Sequence, residues 1–280
     1  MLTVDDNVLA DISKGFSVPA QPQLLLALQN LMSEDDPSIN DISELIAQDV
    51  GVSAKIIKTI NSPVYGLARS ISDIHQAARY IGVKGIMSLV TSSLIVKSFR
   101  QDQCGIALDE FWNNSTNIAN TSVFIGKHLK HKLSLEKLFS IGLFHDCGIP
   151  IMAMKYPDYQ DTYEHAMNTP SEPLTHIEES VYQVDHATIG YYVASSWRLP
   201  RDICQVILCH HDRRQLDKLN NSAHQFYFAV LKMAENIVHS HKNFRDSTDW
   251  PFIKDSVLTL LDIDEDFYQD LVEDSLEQLI

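Results

Sequence analysis

Cysteine is scarce in this chain and never paired at metal-binding spacing. Cys104, Cys147, Cys204 and Cys209 include no CxxC pair, which excludes a zinc ribbon and points to free thiols in a reducing cytoplasm. Glycine and proline are also few, 10 of each in 280 residues, and they are spread along the chain, so no flexible linker is marked. By eye, no apolar run approaches the roughly 20 residues of a membrane span. The start, "MLTVDDNVLADISKGF", is acidic and lacks a basic n-region, so it is not read as a secretory signal. Positive charge is the largest deficit. With 22 Lys and Arg against 37 Asp and Glu, the formal net charge is −15. That balance argues against non-specific nucleic-acid binding, which needs cations to neutralise phosphates, and against a polyanionic substrate unless the few cations converge.

What is present is helical. "DISELIAQDVG" has Asp41 at an N-cap position, Glu44 three residues on, and Gly51 where a terminating glycine belongs. Ser53 opens the next helix, which stops before Pro63; Ser72 opens another, which Gly82 closes. A long helix follows over Asp109–Lys130, with Phe111, Ile118, Val123, Ile125 and Leu129 in a helical period. Further helices are expected from Leu135 into a His-Asp pair, around Ile177–Tyr182, and over His186–Trp197, Arg201–His210, Ala223–His239 and Glu265–Leu279. Strand alternation and hairpin signals are missing, so the fold is expected to be all-α, a multi-helix bundle. The polar stretch "RQDQCGIALD" suggests a division: residues 1–105, residues 106–245, and a C-terminal extension, 246–280, packed on the rest.

The ionisable residues after Asp109 sort into groups near helix ends. They are His145-Asp146 in "IGLFHDCGIP", Asp185-His186 in "DHATIG", His210, His211 and Asp212 in "CHHD", and Glu235 in "KMAENI". A helical bundle can aim such groups into one pocket, and imidazole with carboxylate suits zinc, manganese, iron or nickel. Adjacent His210 and His211 would point about 100° apart on a helix, so both should not easily ligate one ion. His75, His128, His131, His165, His224, His239 and His241 are assigned to surface or structural roles, because a buried polar group usually has an ordinary partner. "DIDEDFYQDLVE" spaces its acids like a calcium loop, but Phe267 stands where the turn needs glycine, so a helix start is preferred.

Several motifs together resemble the HDOD family, the output-type branch of the HD superfamily. "FSVPAQPQLLLALQNL", the "NSPVYG" core (Asn61–Gly66), Ile81-Gly82, "FWNNSTNIA", "GLFHDCGIP", "DHATIGYYVASSWRLP" and "CHH" carry the resemblance, over about residues 16–240. It implies an HD-like helical core preceded by an HDOD-specific helical subdomain, in a cytoplasmic bacterial protein tied to signalling. The departures imply a degenerate metal site. Asn114 stands where catalytic relatives have their first histidine. Ile149 and Pro150 follow Gly148 in place of a lysine, Glu235 replaces the late aspartate, and no Gly-Tyr-Pro follows the paired histidines. The expectation is therefore a regulatory interaction module. It would have a protein partner in a signalling pathway, no nucleic-acid or membrane partner, and no resident cofactor; a small ligand in the old pocket fits within this reading. His145, Asp146, His186, His210, His211 and Glu235 would be vestigial ligands. The alternative is a metal-dependent phosphohydrolase or phosphodiesterase using a divalent transition metal, with His145 and Asp146 at its centre.

Overall fold

The computed structural model describes residues 15–16, 19, 22–34, 36–168, 173–217, 220 and 222–279. It is all-α, with no strand among the described residues. Two compact units divide between Phe99 and Arg100.

The unit spanning 19–99 holds α1 (Gln23–Met32), α2 (Ile39–Ala47), α3 (Val50–Ile60) and α4 (Ile74–Ser98). Each short helix buries one stripe: Leu25 and Leu28 on α1, Ile42 and Ile46 on α2, and Val52, Ile56 and Ile60 on α3. These i, i+3 and i+4 spacings put the apolar side chains on one helix face, and α4 packs against all three helices. The caps differ from the expected ones. Ser38, not Asp41, caps α2; Asp49, not Ser53, caps α3; and Asp73, not Ser72, caps α4. Each true cap is a neighbouring Ser or Asp whose oxygen accepts the backbone N–H three residues on, and Gly51 lies inside α3 rather than after α2. Gly82 does break the backbone where expected (φ 72°, ψ 173°), although the helix resumes directly. Because the two halves run on, α4 is long and apolar enough by length and composition to cross a membrane, contrary to the reading of the sequence by eye. Of that window, 56% is buried within the structure.

The "NSPVYG" motif has a local explanation. Pro63 ends α3 and starts a single 3₁₀ turn, which Gly66 closes in the left-handed region (φ 61°). The Asn61 side chain then clamps the loop: its amide donates to the Ile71 carbonyl (2.7 Å) and its oxygen accepts from the Ile71 N–H (2.8 Å). Asn61→Ala should cost about 1–3 kcal/mol, because two backbone groups lose their partner. The checks are the urea midpoint and loss of amide-exchange protection at Ile71; an unchanged protection factor would contradict the clamp.

The second unit contains α5 (Leu108–His128), α6 (Leu135–Phe144), α7 (Gly148–Lys155), α8 (Tyr159–Asn168), α9 (Leu174–Tyr182), α10 (His186–Ser196), α11 (Arg201–Cys209), α12 (Ala223–Asn243), α13 (Trp250–Leu261) and α14 (Glu265–Leu279). Helices α5, α6 and α12 pack on one another, α10 packs on α7 and α11, and α13 packs on α12. Helices α7, α8 and α13 escaped the sequence reading. Pro150 masks α7, yet it lies in the first turn, where a missing N–H costs nothing. Asn236 of α12 anchors the C-terminal helices. Its amide donates to Asp246 Oδ1 (3.0 Å) and Tyr268 Oη (3.2 Å), and its oxygen accepts from the Ser247 N–H (2.7 Å). The acidic stretch from Asp262 is a helix start, with Asp264 accepting the Phe267 N–H.

Candidate metal centre

Three helix ends meet at Asp146. Residues 145–147 form the tight turn between α6 and α7, with the Cys147 N–H bonded to the Phe144 carbonyl and the Ile149 N–H to the Asp146 carbonyl (both 2.9 Å). His186 is the first residue of α10, which Asp185 caps, and His210 is the C-cap of α11. Asp146 Oδ1 lies 3.0 Å from His210 Nε2 and 3.3 Å from His186 Nε2, and its Oδ2 lies 3.1 Å from His145 Nε2. His211 Nε2 is 3.0 Å from His186 Nε2.

Asp146, His186, His210 and His211 each offer one donor atom, and these atoms all lie within 4.8 Å of one another. The expectation that adjacent His210 and His211 diverge is thereby corrected. α11 ends at Cys209, so the helical rotation of 100° per residue no longer applies at 211, and the two rings sit 4.0 Å apart. His145 and Glu235 adjoin this group, with His145 Nε2 3.6 Å from Glu235 Oε1. Asn114 is exposed on α5.

The hydrogen bonds on the far side of each ring decide what the centre can hold. His145 Nδ1 donates to the Gly142 carbonyl (2.8 Å), His210 Nδ1 to the Ile207 carbonyl (2.7 Å), and His186 Nδ1 to Glu178 Oε2 (2.6 Å). Glu178 is fully buried and also accepts from the His186 N–H (2.9 Å) and the Tyr159 hydroxyl. These bonds place the proton on Nδ1 and aim a bare Nε2 at Asp146. Acceptors then face an acceptor carboxylate, so the arrangement needs protons or a cation between them. Neutral imidazoles and a carboxylate are the donors transition metals take, so the residues fit such an ion.

Without a cation, charge settles unevenly. Burial pushes the His145 ring down, but the Asp146 and Glu235 carboxylates outweigh it and raise its pKa. His186 behaves alike and is raised well above the usual range, by Glu178 and Asp146 against burial. Asp146 is held well below the carboxylate range by its three imidazole partners, against burial. Burial lowers His210 and, helped by the His210 charge, His211. His145 and His186 contribute stability below the unfolded imidazole value, about 6.5, and that contribution is lost as pH rises through their raised values. Asp146 contributes above the ordinary carboxylate value, and that part is lost as pH falls through its depressed one; His210 and His211 resist charging and also oppose acid. The melting temperature in chelator should therefore peak near the imidazole range and decline on the alkaline side. Zinc should flatten the alkaline decline, since a cation replaces the protons. A profile unchanged by zinc would count against the donor geometry.

Beyond the expected residues, the structure adds a cationic flank. Lys232, buried on α12, bonds Glu235 Oε2 (2.5 Å) and Asp249 Oδ2 (3.2 Å), and Arg213 Nη2 bonds Asp249 Oδ1 (2.7 Å). A lysine inside the apolar run "FAVLKMAENI" was the visible signal for Lys232. Asp249 gave none, because it sits in a polar loop. Of the other histidines, His75 bonds Ser43 Oγ (2.8 Å), His128 its own helix (2.9 Å), and His224 Cys209 Sγ (3.3 Å), so these rings have structural partners.

The HDOD domain family matches residues 18–213. The chain belongs to the HDOD family. Lys232, Glu235 and Asp249 come from beyond the matched segment. Over 198 residues the chain is 24% identical to an uncharacterized protein of Treponema pallidum, covering 70% of this chain and 38% of that one. Over 125 residues it is 27% identical to the cyclic di-GMP phosphodiesterase CdgJ of Vibrio cholerae, covering 44% and 28%. The alignments thus span well under two thirds of either relative's length. An HDOD domain protein of Geobacter sulfurreducens shares the fold at TM-score 0.72 and 20% identity, covering 98% of this chain and 95% of that one. A Shewanella amazonensis protein provisionally named a phosphohydrolase does so at 0.72 and 19%, covering 97% and 95%. A Marinobacter aquaeolei protein provisionally named for signal transduction does so at 0.71 and 15%, covering 98% and 63%.

Proposed function

We propose that this HDOD protein is a regulatory module that binds a protein partner in a signalling pathway, and that its helical pocket holds a divalent transition-metal ion without turning over a phosphodiester. The observation that carries the metal is the set of Nδ1-anchored imidazoles converging on one carboxylate. This reading departs from the cofactor-free pocket expected from the sequence. The residues that would hold the ion are Asp146, His186, His210 and His211. Bound there, the ion would supply positive charge that joins the turn after α6 to the ends of α10 and α11.

Three features support a non-catalytic role. The first-histidine position is an exposed Asn114. Ile149 and Pro150 are buried in the first turn of α7, where a phosphate-binding cation would be wanted. Lys232 and Arg213, which flank the donors, are bonded to carboxylates. The alternative, a metal-dependent phosphohydrolase, draws on the same donor set and on the names of CdgJ and the Shewanella protein.

The test is elemental analysis of protein purified without chelator, followed by zinc and manganese titration and assays with cyclic di-GMP and a generic phosphodiester. The expected result is about one ion per chain, a higher melting temperature with metal by linkage, and no turnover. Turnover abolished by Asp146→Asn would establish the hydrolase instead. Binding of no ion at all would leave the pocket as a structural network.

A further inference from the structure

We propose that the Lys232 ammonium is a built-in cation occupying a second metal position, so that this pocket takes one metal ion and not two. The inference rests on the metal reading above. The Lys232 side chain is only 4% exposed, and a buried ammonium needs paired, hydrogen-bonded carboxylates. It has two, Glu235 on its own helix and Asp249 at the start of α13. Beside each carboxylate stands an imidazole. Glu235 Oε1 lies 3.6 Å from His145 Nε2, and Asp249 Oδ2 lies 4.0 Å from His211 Nδ1. Two carboxylates, each with an imidazole beside it, offer the donors a transition metal takes, and here the cation that joins the carboxylates is part of the protein.

The two cation positions adjoin. His211 presents Nε2 toward His186 and Nδ1 toward Asp249. Asp146 likewise turns Oδ1 to His186 and His210 and Oδ2 to His145. A carboxylate and a ring shared this way are what a pair of neighbouring cations requires; two-metal sites hold their ions about 3.5–4 Å apart. A tethered ammonium beside the first ion would repel a second divalent ion and hold both carboxylates that could receive it. Glu235, read from the sequence as a ligand in place of the family's aspartate, then serves Lys232 rather than the metal.

The experiment counts zinc and manganese per chain by elemental analysis after equilibrium dialysis, with melting curves in chelator and in each metal. Wild type is expected to hold one ion. Lys232→Met, which keeps the length and removes the charge, is expected to hold two. It should melt below wild type in chelator and recover with metal, since the second ion replaces the lost cation. Glu235→Gln covers the case in which Lys232→Met does not fold; it is expected to keep the single ion of wild type. One ion in both wild type and Lys232→Met would overturn the proposal while leaving the metal reading intact. Two ions in wild type, or loss of the ion in Glu235→Gln, would also overturn it. No ion in wild type would defeat the metal reading, and this proposal with it.

Discussion

Asp146→Ala should abolish metal binding and lower stability by about 3–5 kcal/mol, the range for removing one partner of a buried charge pair. At roughly 2–4 °C per kcal/mol for domains of 150–250 residues, the melting temperature should fall by about 10 °C. One carboxylate faces the Nε2 atoms of three imidazoles that belong to three helix ends, α6, α10 and α11. Its removal takes from His145 and His186 one of the two carboxylates that raise their pKa values against burial, leaving Glu235 beside His145 and Glu178 beside His186. Asp146→Asn separates the two effects. An amide of the same shape can donate to one Nε2 and recover part of the stability, but it is a poor metal ligand. The measurements are calorimetric melting and zinc titration of both variants. A wild-type melting curve for Asp146→Ala would show that the turn does not depend on this carboxylate.

Gly148→Ala is expected to be as damaging, for a steric reason. A Cβ at 148 would lie 1.9 Å from the His186 carbonyl oxygen and 2.8 Å from the Gly190 nitrogen. Both are backbone atoms at the start of α10 and cannot swing away as a side-chain tip would, so α7 and α10 must separate. Overpacking of a core usually costs about 1–3 kcal/mol. A clash with backbone belongs at or above the upper end, so a loss of about 3 kcal/mol or more is expected. Because His186 moves with its carbonyl, zinc affinity should fall together with stability. Gly51→Ala is the control. Its Cβ meets side-chain tips alone, Asp49 Oδ1 at 3.4 Å and Lys97 Nζ at 3.9 Å, on an exposed helix face, so stability should change by less than about 1 kcal/mol, with alanine favoured. Equal melting temperatures for Gly148→Ala and wild type would refute the close approach.

The sequence by itself determined the all-α class and most helix positions, and it offered the converging residues as candidates, because these depend on local rules. His145, Asp146, His186 and His210 each stand at a helix end marked by a cap, a glycine or a stop, and such signals act within a few residues. Helix ends point side chains and backbone dipoles the same way in any context, so their grouping was legible before any packing was known. The caps slipped by one to four residues because Ser38, Asp49 and Asp73 compete with equally plausible neighbours, and only the observed hydrogen bonds choose among them.

Tertiary packing decided the rest. Glu178 reaches His186 across eight residues, and Lys232 reaches Asp249 across seventeen. No periodicity relates those positions. They meet because α9 leads directly into α10 and α13 packs on α12. The fate of His211 was equally non-local in origin: a helix that ends one residue sooner turns two diverging rings into neighbours. Whether a buried imidazole keeps its proton on Nδ1 depends on which carbonyl or carboxylate the fold brings behind it. That is a property of the packed structure, not of the residue, and here it is what turns a row of histidines into a centre that calls for a cation.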